Sequence, residues 1–214
     1  PPISITAETY LKLYKNDILN VSKKWGVPIS AIAGIIASES TLNFDGAHRL
    51  ENDYFKNFIL NKTEQEITEM ITEANVANLY NSKQAFFKKI HKPATWSIGL
   101  CQMHLDIAIE IEPIKAKKER RTIKTNKELI GELLNPESNI DYCAFYMRSI
   151  RDKYYKELDL DLYKRPSLLV TIYNIGKVDK LIEQRKNIRD LDVSMLENNW
   201  FGAFTELHEY KLDS

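Results

Sequence analysis

Between Val27 and Ser38 the chain carries no charged residue. Ile29, Ile32, Ile35 and Ile36, with Ala31, Ala33 and Ala37 between them, leave no broad polar face, so a helix here is stable only when other protein surrounds it. Pro28 suits a first helical turn and Gly26 suits the end of the helix before it. The first acid after the apolar run is Glu39, at the far end of the helix. There the negative end of the helix dipole and the apolar flanks both disfavour a carboxylate, which predicts a raised pKa. A carboxyl still protonated near neutral pH can donate to a leaving-group oxygen. The plainer reading is that Glu39 marks where a buried helix reaches solvent.

A helix of that kind needs partners, and a chain of 214 residues is long enough to supply them. With only 7 Gly and 7 Pro, a turn-rich β-sandwich or barrel is disfavoured, and the expected fold is mainly α with at most a very small β element. Thirty basic and thirty acidic residues cancel, so no global field favours nucleic acid or an anionic membrane. No apolar run reaches the roughly 20 residues that span a bilayer. There is no signal-peptide pattern, and the Pro1–Pro2 start reads as a mature or excised fragment. Cys101 and Cys143 lack CxxC spacing and read as two buried thiols rather than a bridge. The four histidines are scattered, so no metal and no cofactor are expected.

The spacing of Ala7, Leu11, Tyr14, Ile18, Val21 and Trp25 predicts one opening helix over about 6–24. Residues 44–61, with Asp45, Gly46, Asn52, Asp53 and Asn57, read as an irregular surface segment. Thr63 and Glu66 form a capping-box pattern ahead of a stripe of Ile67, Met70, Ile71, Ala74 and Ala77, and Ser82 starts a short helix that ends before Pro93. Thr95 to His104 is short, apolar and broken by Gly99, which marks close backbone approach. A helix from Leu105 is expected to close near Pro113, and the basic run from Lys115 to Lys127 reads as a solvated connection. Asn135–Pro136 starts a long helix with Ile140, Cys143, Met147, Ile150 and Tyr154 on one stripe. Ser167 caps the next helix, which ends at Gly176. Val178 to Ile182 and Trp200 to Tyr210 read as two more.

In order, the chain shows Glu39-Ser40 at the end of an apolar helix, then S-x-G-L-x-Q from Ser97, then L-L-N-P-E-x-N-I from Leu133, and Y-N-x-G from Tyr173. This series resembles the catalytic domain of lytic transglycosylases and goose-type lysozymes, which cleave the β-1,4 bond between N-acetylmuramic acid and N-acetylglucosamine in peptidoglycan. The resemblance implies a lysozyme-like fold as a single domain over 1–214, with an insertion at 45–93 and a C-terminal extension of uncertain status from about 177. It makes Glu39 the catalytic acid, with Ser40 beside it. Gly99, Leu100 and Gln102 match the family's G-L-M-Q block, with Gln102 expected to touch the sugar, and Tyr173 and Asn174 match its A-Y-N block, in which the tyrosine hydroxyl is expected to orient the acid. Cys101 stands where the family has methionine, and Cys143 where it has a small residue.

The implied reaction uses one glutamate as acid and then as base, closing a 1,6-anhydro ring on the muramic acid. An inverting hydrolysis would instead need a second carboxylate, for which Asp45 and Asp53 are the candidates. A non-catalytic glycan-binding scaffold and a nucleic-acid binder using the basic run are the remaining alternatives. The family's partners are glycan strands of peptidoglycan, and its location is outside the cytoplasm, here as part of a longer exported polypeptide.

Overall fold

A computed structural model describes residues 1–42, 47–72 and 93–213 of the chain. The protein is mainly helical. Among the described residues there are eleven α-helices and one two-stranded sheet, distributed over two compact units: residues 1–44 with 143–214, and residues 45–142. The second unit begins where the sequence placed an insertion and continues to Tyr142. No helix of the described residues is long and apolar enough to cross a membrane.

The first unit contains α1 (Ile5–Leu13), α2 (Lys15–Trp25), α3 (Ile29–Leu42), α9 (Pro166–Ile175), α10 (Val178–Arg185) and α11 (Trp200–Leu212). It also holds the later part of α8 (Pro136–Leu158). Helix α3 is the one with no polar face, and α1, α2, α9 and α11 all pack on it. Ile32, Ile35 and Ile36 are fully buried, each contributing roughly 1.5–3 kcal/mol of transfer free energy. Gly26 ends α2 in the left-handed conformation, its N–H bonded to the Ser22 carbonyl, as the sequence predicted.

The opening segment differs from the single helix its periodicity implied. Tyr14 (φ −102°, ψ 17°) ends α1 and begins α2, so two straight helices each lie against α3. The Ser4 hydroxyl accepts from the Ala7 N–H and donates to the Ser40 carbonyl, while the Ser4 N–H donates to Thr41 Oγ1. These bonds cap α1 and tie its start to the end of α3.

Two small residues set how closely the central helices approach. A Cβ on Gly34 would lie 2.5 Å from Thr205 Cγ2 and 2.6 Å from its Oγ1, and one on Gly202 would overlap Thr171 Oγ1. Thr205 faces Gly34, and the Asp213 carboxylate accepts from the Ser30 N–H at the start of α3, so α11 runs antiparallel to α3. Thr171 meets Gly202 and Asn174 meets Asn199, so α9 is antiparallel to α11 as well. The C-terminal helix, beyond the reach of any motif, is therefore part of the packing around α3.

In α8 the stripe Ile140, Cys143, Met147, Ile150 and Tyr154 is buried throughout. The Asn135 side chain accepts from the Ser138 N–H, the cap that Asn-Pro predicts. Helix α9 starts with Pro166 in its first turn and has no side-chain cap; Ser167 is instead buried and accepts from Asn198.

The second unit contains α4 (Ala47–Asn57), α5 (Glu64–Thr72), α6 (Leu105–Glu119), α7 (Asn126–Leu134), the start of α8, and the hairpin β1 (Ser97–Ile98) and β2 (Met103–His104). The reciprocal Thr63–Glu66 capping box is present, and Ile67 and Ile71 are buried. The rest of that stripe, Ala74 and Ala77, and the helix read from Ser82 lie outside the described residues.

Three readings need correction in this unit. The segment taken as irregular holds α4, in which Tyr54 and Phe55 are buried; its turn-forming Asn52 spends its side chain on the hairpin instead. Helix α6 continues through Pro113 because Ala116 and Lys115, beyond the proline, are buried and held by partners. The basic run is a solvated connection only in part: Lys117, Lys118, Arg120 and Lys127 are exposed, but Arg121 and the Lys124 backbone fold around buried Glu112, whose carboxylate accepts from Arg121 Nη1 (2.5 Å) and Nη2 (2.9 Å), the Lys124 N–H (2.8 Å) and the Tyr142 hydroxyl (2.6 Å). Lys115 is buried between Glu119 and Asp141.

Candidate active site

Glu39 lies in the last turn and a half of α3 and is 8% exposed. Ser40, its neighbour, is half-buried and its carbonyl accepts from Ser4. From the Gly34–Thr205 contact, Glu39 is five residues along α3 and Trp200 is five residues back along α11. At 1.5 Å per residue both displacements are about 7.5 Å in the same direction, but at 3.6 residues per turn each side chain is also turned about 140° from the shared contact, so Glu39 and Trp200 point to opposite sides of the α3–α11 pair.

Tyr173 reaches that level from α9. It lies next to Asn174, which accepts from Asn199, the residue before Trp200, at 2.8 Å. Tyr173 is buried, and its ring packs on Tyr146 of α8 with centroids 5.5 Å apart and planes tilted by 58°. Asn174 is exposed. Glu39 and Tyr173, 134 positions apart in the chain, thus come to the same end of two parallel helices in the same unit.

Gly99, Leu100 and Gln102 belong to the second unit, where they form the connection of the β1–β2 hairpin, with Ser97 paired to His104 and Ile98 to Met103. Gly99 has φ +77°, and a Cβ there would overlap the Leu133 carbonyl and the Asn139 amide. The close approach implied by a lone glycine is thus present. Asn139 is fully buried. Its Oδ1 accepts from the Cys101 N–H at 2.8 Å, and its Nδ2 donates to the Ile98 and Leu133 carbonyls at 2.9 Å each. Asn52 accepts from the Gly99 N–H at 3.0 Å, and Glu51 accepts from the Ser97 N–H at 3.3 Å. One amide on α8 and two side chains on α4 thereby clamp the loop from opposite strands of sequence.

Gln102 carries the signs of a constrained position. Its φ is +49°, its Nε2 donates to the Gly99 carbonyl at 2.6 Å, and its Oε1 is buried with no hydrogen-bond partner among the described residues. A strained backbone and an unsatisfied buried amide oxygen are both costly, and such features concentrate where ligands bind. Leu100 is half-buried at the tip of the loop.

Of the two candidate second acids, Asp53 is exposed on α4 in the second unit, and Asp45 lies outside the described residues. Cys101 and Cys143 are buried free thiols, as expected. Among the described residues no group of three His, Cys, Asp or Glu side chains is placed to hold a metal ion.

Sequence reasoning missed Asn139 and Asn199 as supporting residues. Asn139 is the last asparagine of the N-P-E-x-N-I block, so its position was legible but its clamp on the hairpin was not. Asn199 falls in a stretch with no motif, and only its Asn-Asn-Trp start before an aromatic helix marks it as a cap. Comparison with protein-family models, with curated proteins and with solved structures gives no match for this chain.

Proposed function

We propose that the chain cleaves the β-1,4 bond between N-acetylmuramic acid and N-acetylglucosamine in peptidoglycan, on a lysozyme-like fold, with Glu39 as the sole acid and base. The observation that carries the reading is a carboxyl at the end of an uncharged, enclosed helix, brought to one level with Tyr173 of the Y-N block. A binder of glycans has no use for an acid in such surroundings, whereas an acid that must hold its proton near neutral pH requires them.

In the first step the Glu39 carboxyl gives its proton to the glycosidic oxygen. The bond from that oxygen to C1 of the muramic acid breaks, and the sugar's own N-acetyl oxygen closes on C1. In the second step the Glu39 carboxylate takes the proton of the C6 hydroxyl, O6 attacks C1, and the N-acetyl group is released. The products are a 1,6-anhydro end and an intact N-acetylglucosamine leaving group, with no water consumed. Tyr173, packed on Tyr146, is the residue that the resemblance assigns to orienting the carboxyl.

Mass spectrometry of peptidoglycan digested by the protein and by Glu39→Gln tests this. Anhydro-muropeptides from the parent and a loss of at least about a hundredfold in the variant are expected. Reducing-end products would replace the ring closure by hydrolysis with a second carboxylate. Undiminished activity in Glu39→Gln would remove Glu39 from the mechanism, and an inactive parent would leave a glycan-binding scaffold.

A further inference from the structure

The peptide between Ile98 and Gly99 is gripped from both sides. Its carbonyl, on Ile98, accepts from Asn139 Nδ2 at 2.9 Å, and its N–H, on Gly99, donates to Asn52 Oδ1 at 3.0 Å. Glycine takes positive and negative φ with nearly equal ease, so the φ of +77° at Gly99 is set by what holds this peptide rather than by the residue itself. The next carbonyl along, that of Gly99, accepts from Gln102 through its N–H at 3.2 Å and its Nε2 at 2.6 Å. The Nε2 bond decides how the Gln102 amide is turned, because only its NH2 end can donate to a carbonyl. A hydrogen-bonded path thus runs from Asn52 on α4 through Gly99 to Gln102, all within one unit. Asn139 is fully buried and also holds the Cys101 N–H and the Leu133 carbonyl. Asn52 is half-buried, so water can replace it on the Gly99 N–H. Its loss therefore costs little in folding but leaves the peptide free to turn.

We infer that Asn52 is a positioning residue: it sets the Gln102 amide through the Gly99 peptide and so governs how tightly this loop holds a strand of N-acetylated aminosugars. The inference rests on the proposed peptidoglycan cleavage for the identity of the ligand. It gives a task to α4, which lies in the stretch 45–93 that interrupts the family blocks. A contact of this kind is made equally in ground and transition states, so its loss raises KM and leaves kcat nearly unchanged.

The test couples Asn52 to Gln102. Cleavage of uncrosslinked peptidoglycan strands is followed for the parent, Asn52→Ala, Asn52→Asp, Gln102→Ala and the double variant Asn52→Ala with Gln102→Ala, and the Gln102 side-chain amide is followed by NMR. Asn52→Ala is expected to raise KM about fivefold, the effect of one misplaced hydrogen bond, with kcat within about twofold. Asn52→Asp keeps an acceptor for the Gly99 N–H and should restore KM to within about twofold of the parent. The double variant should have the KM of Gln102→Ala alone, since a residue acting through Gln102 has nothing left to act on. The amide resonance should shift in Asn52→Ala and return in Asn52→Asp. KM unchanged in Asn52→Ala, or effects that multiply in the double variant, overturns the inference and leaves the cleavage reading standing. A parent that yields no cleavage products overturns the cleavage reading, and the amide resonance then decides the positioning: if it is unmoved in Asn52→Ala, both fall together.

Discussion

Replacing Asn139 of α8 by alanine removes a side chain that ties the hairpin loop to the end of α7. Three bonds are lost together: the Cys101 N–H loses its acceptor, and the Ile98 and Leu133 carbonyls lose their donor. The site is fully buried, so water does not replace the amide without cost. A stranded buried group costs about 1–3 kcal/mol, with an N–H at the upper end and carbonyls, which have a second lone pair, near the lower. The expected destabilisation is about 3–5 kcal/mol. For a unit of this size, with a urea dependence of about 1–2 kcal/mol per molar, the midpoint should fall by at least roughly 1.5 M.

Equilibrium unfolding in urea measures this. Trp96 is buried in the same unit, so its emission follows the affected transition while Trp25 reports the other unit. Asn139→Asp keeps an acceptor for Cys101 but turns a carboxylate oxygen toward two carbonyls, so it should be at least as destabilising near neutral pH. A loss below about 1 kcal/mol in Asn139→Ala would show that the loop is held by its own turn and by α4, and would refute the clamp.

Further outcomes follow from other contacts. Gly34→Ala gains about 1 kcal/mol of helix propensity but forces its Cβ onto Thr205, and overpacking of about 1–3 kcal/mol should prevail; thermal unfolding of Gly34→Ala with Thr205→Ala should recover stability relative to the sum of the single changes. Burial by itself would raise the Glu112 carboxyl, but the bonds from Arg121, Tyr142 and the Lys124 N–H outweigh it and hold the pKa below the usual glutamate value of 4.5. A depressed folded pKa means stability that is present above 4.5 and lost as pH falls through the lower value. Unfolding midpoints of the second unit should therefore drop on acidification below pH 4.5, and Glu112→Gln should flatten that dependence while lowering stability at neutral pH.

Residues with a local signature were legible in the sequence. The uncharged run before Glu39 required a surrounded helix, and the stripe from Ile140 to Tyr154 required a buried face; both are read from side-chain spacing alone. Thr125 and Glu128 show where reading fell short. They form a reciprocal capping box at the start of α7, a pattern plain in T-N-K-E but masked by the basic residues around it. Asn52 and Pro113 misled for a different reason. Asparagine and proline do favour turns and breaks, yet a hydrogen bond to a distant loop and burial beyond the proline outweigh those local preferences.

The chain by itself determined that the protein is mainly helical, that α3 lies inside and that both thiols are buried. Each of these depends on composition and spacing within a few turns of helix. Only the tertiary structure decided that Tyr173 stands level with Glu39, that Asn139 clamps the glycine loop, and that the basic run wraps a buried glutamate. Those facts depend on which helix faces which and at what register, and register is set by contacts such as Thr205 on Gly34 between residues too far apart in sequence for any local pattern to relate them.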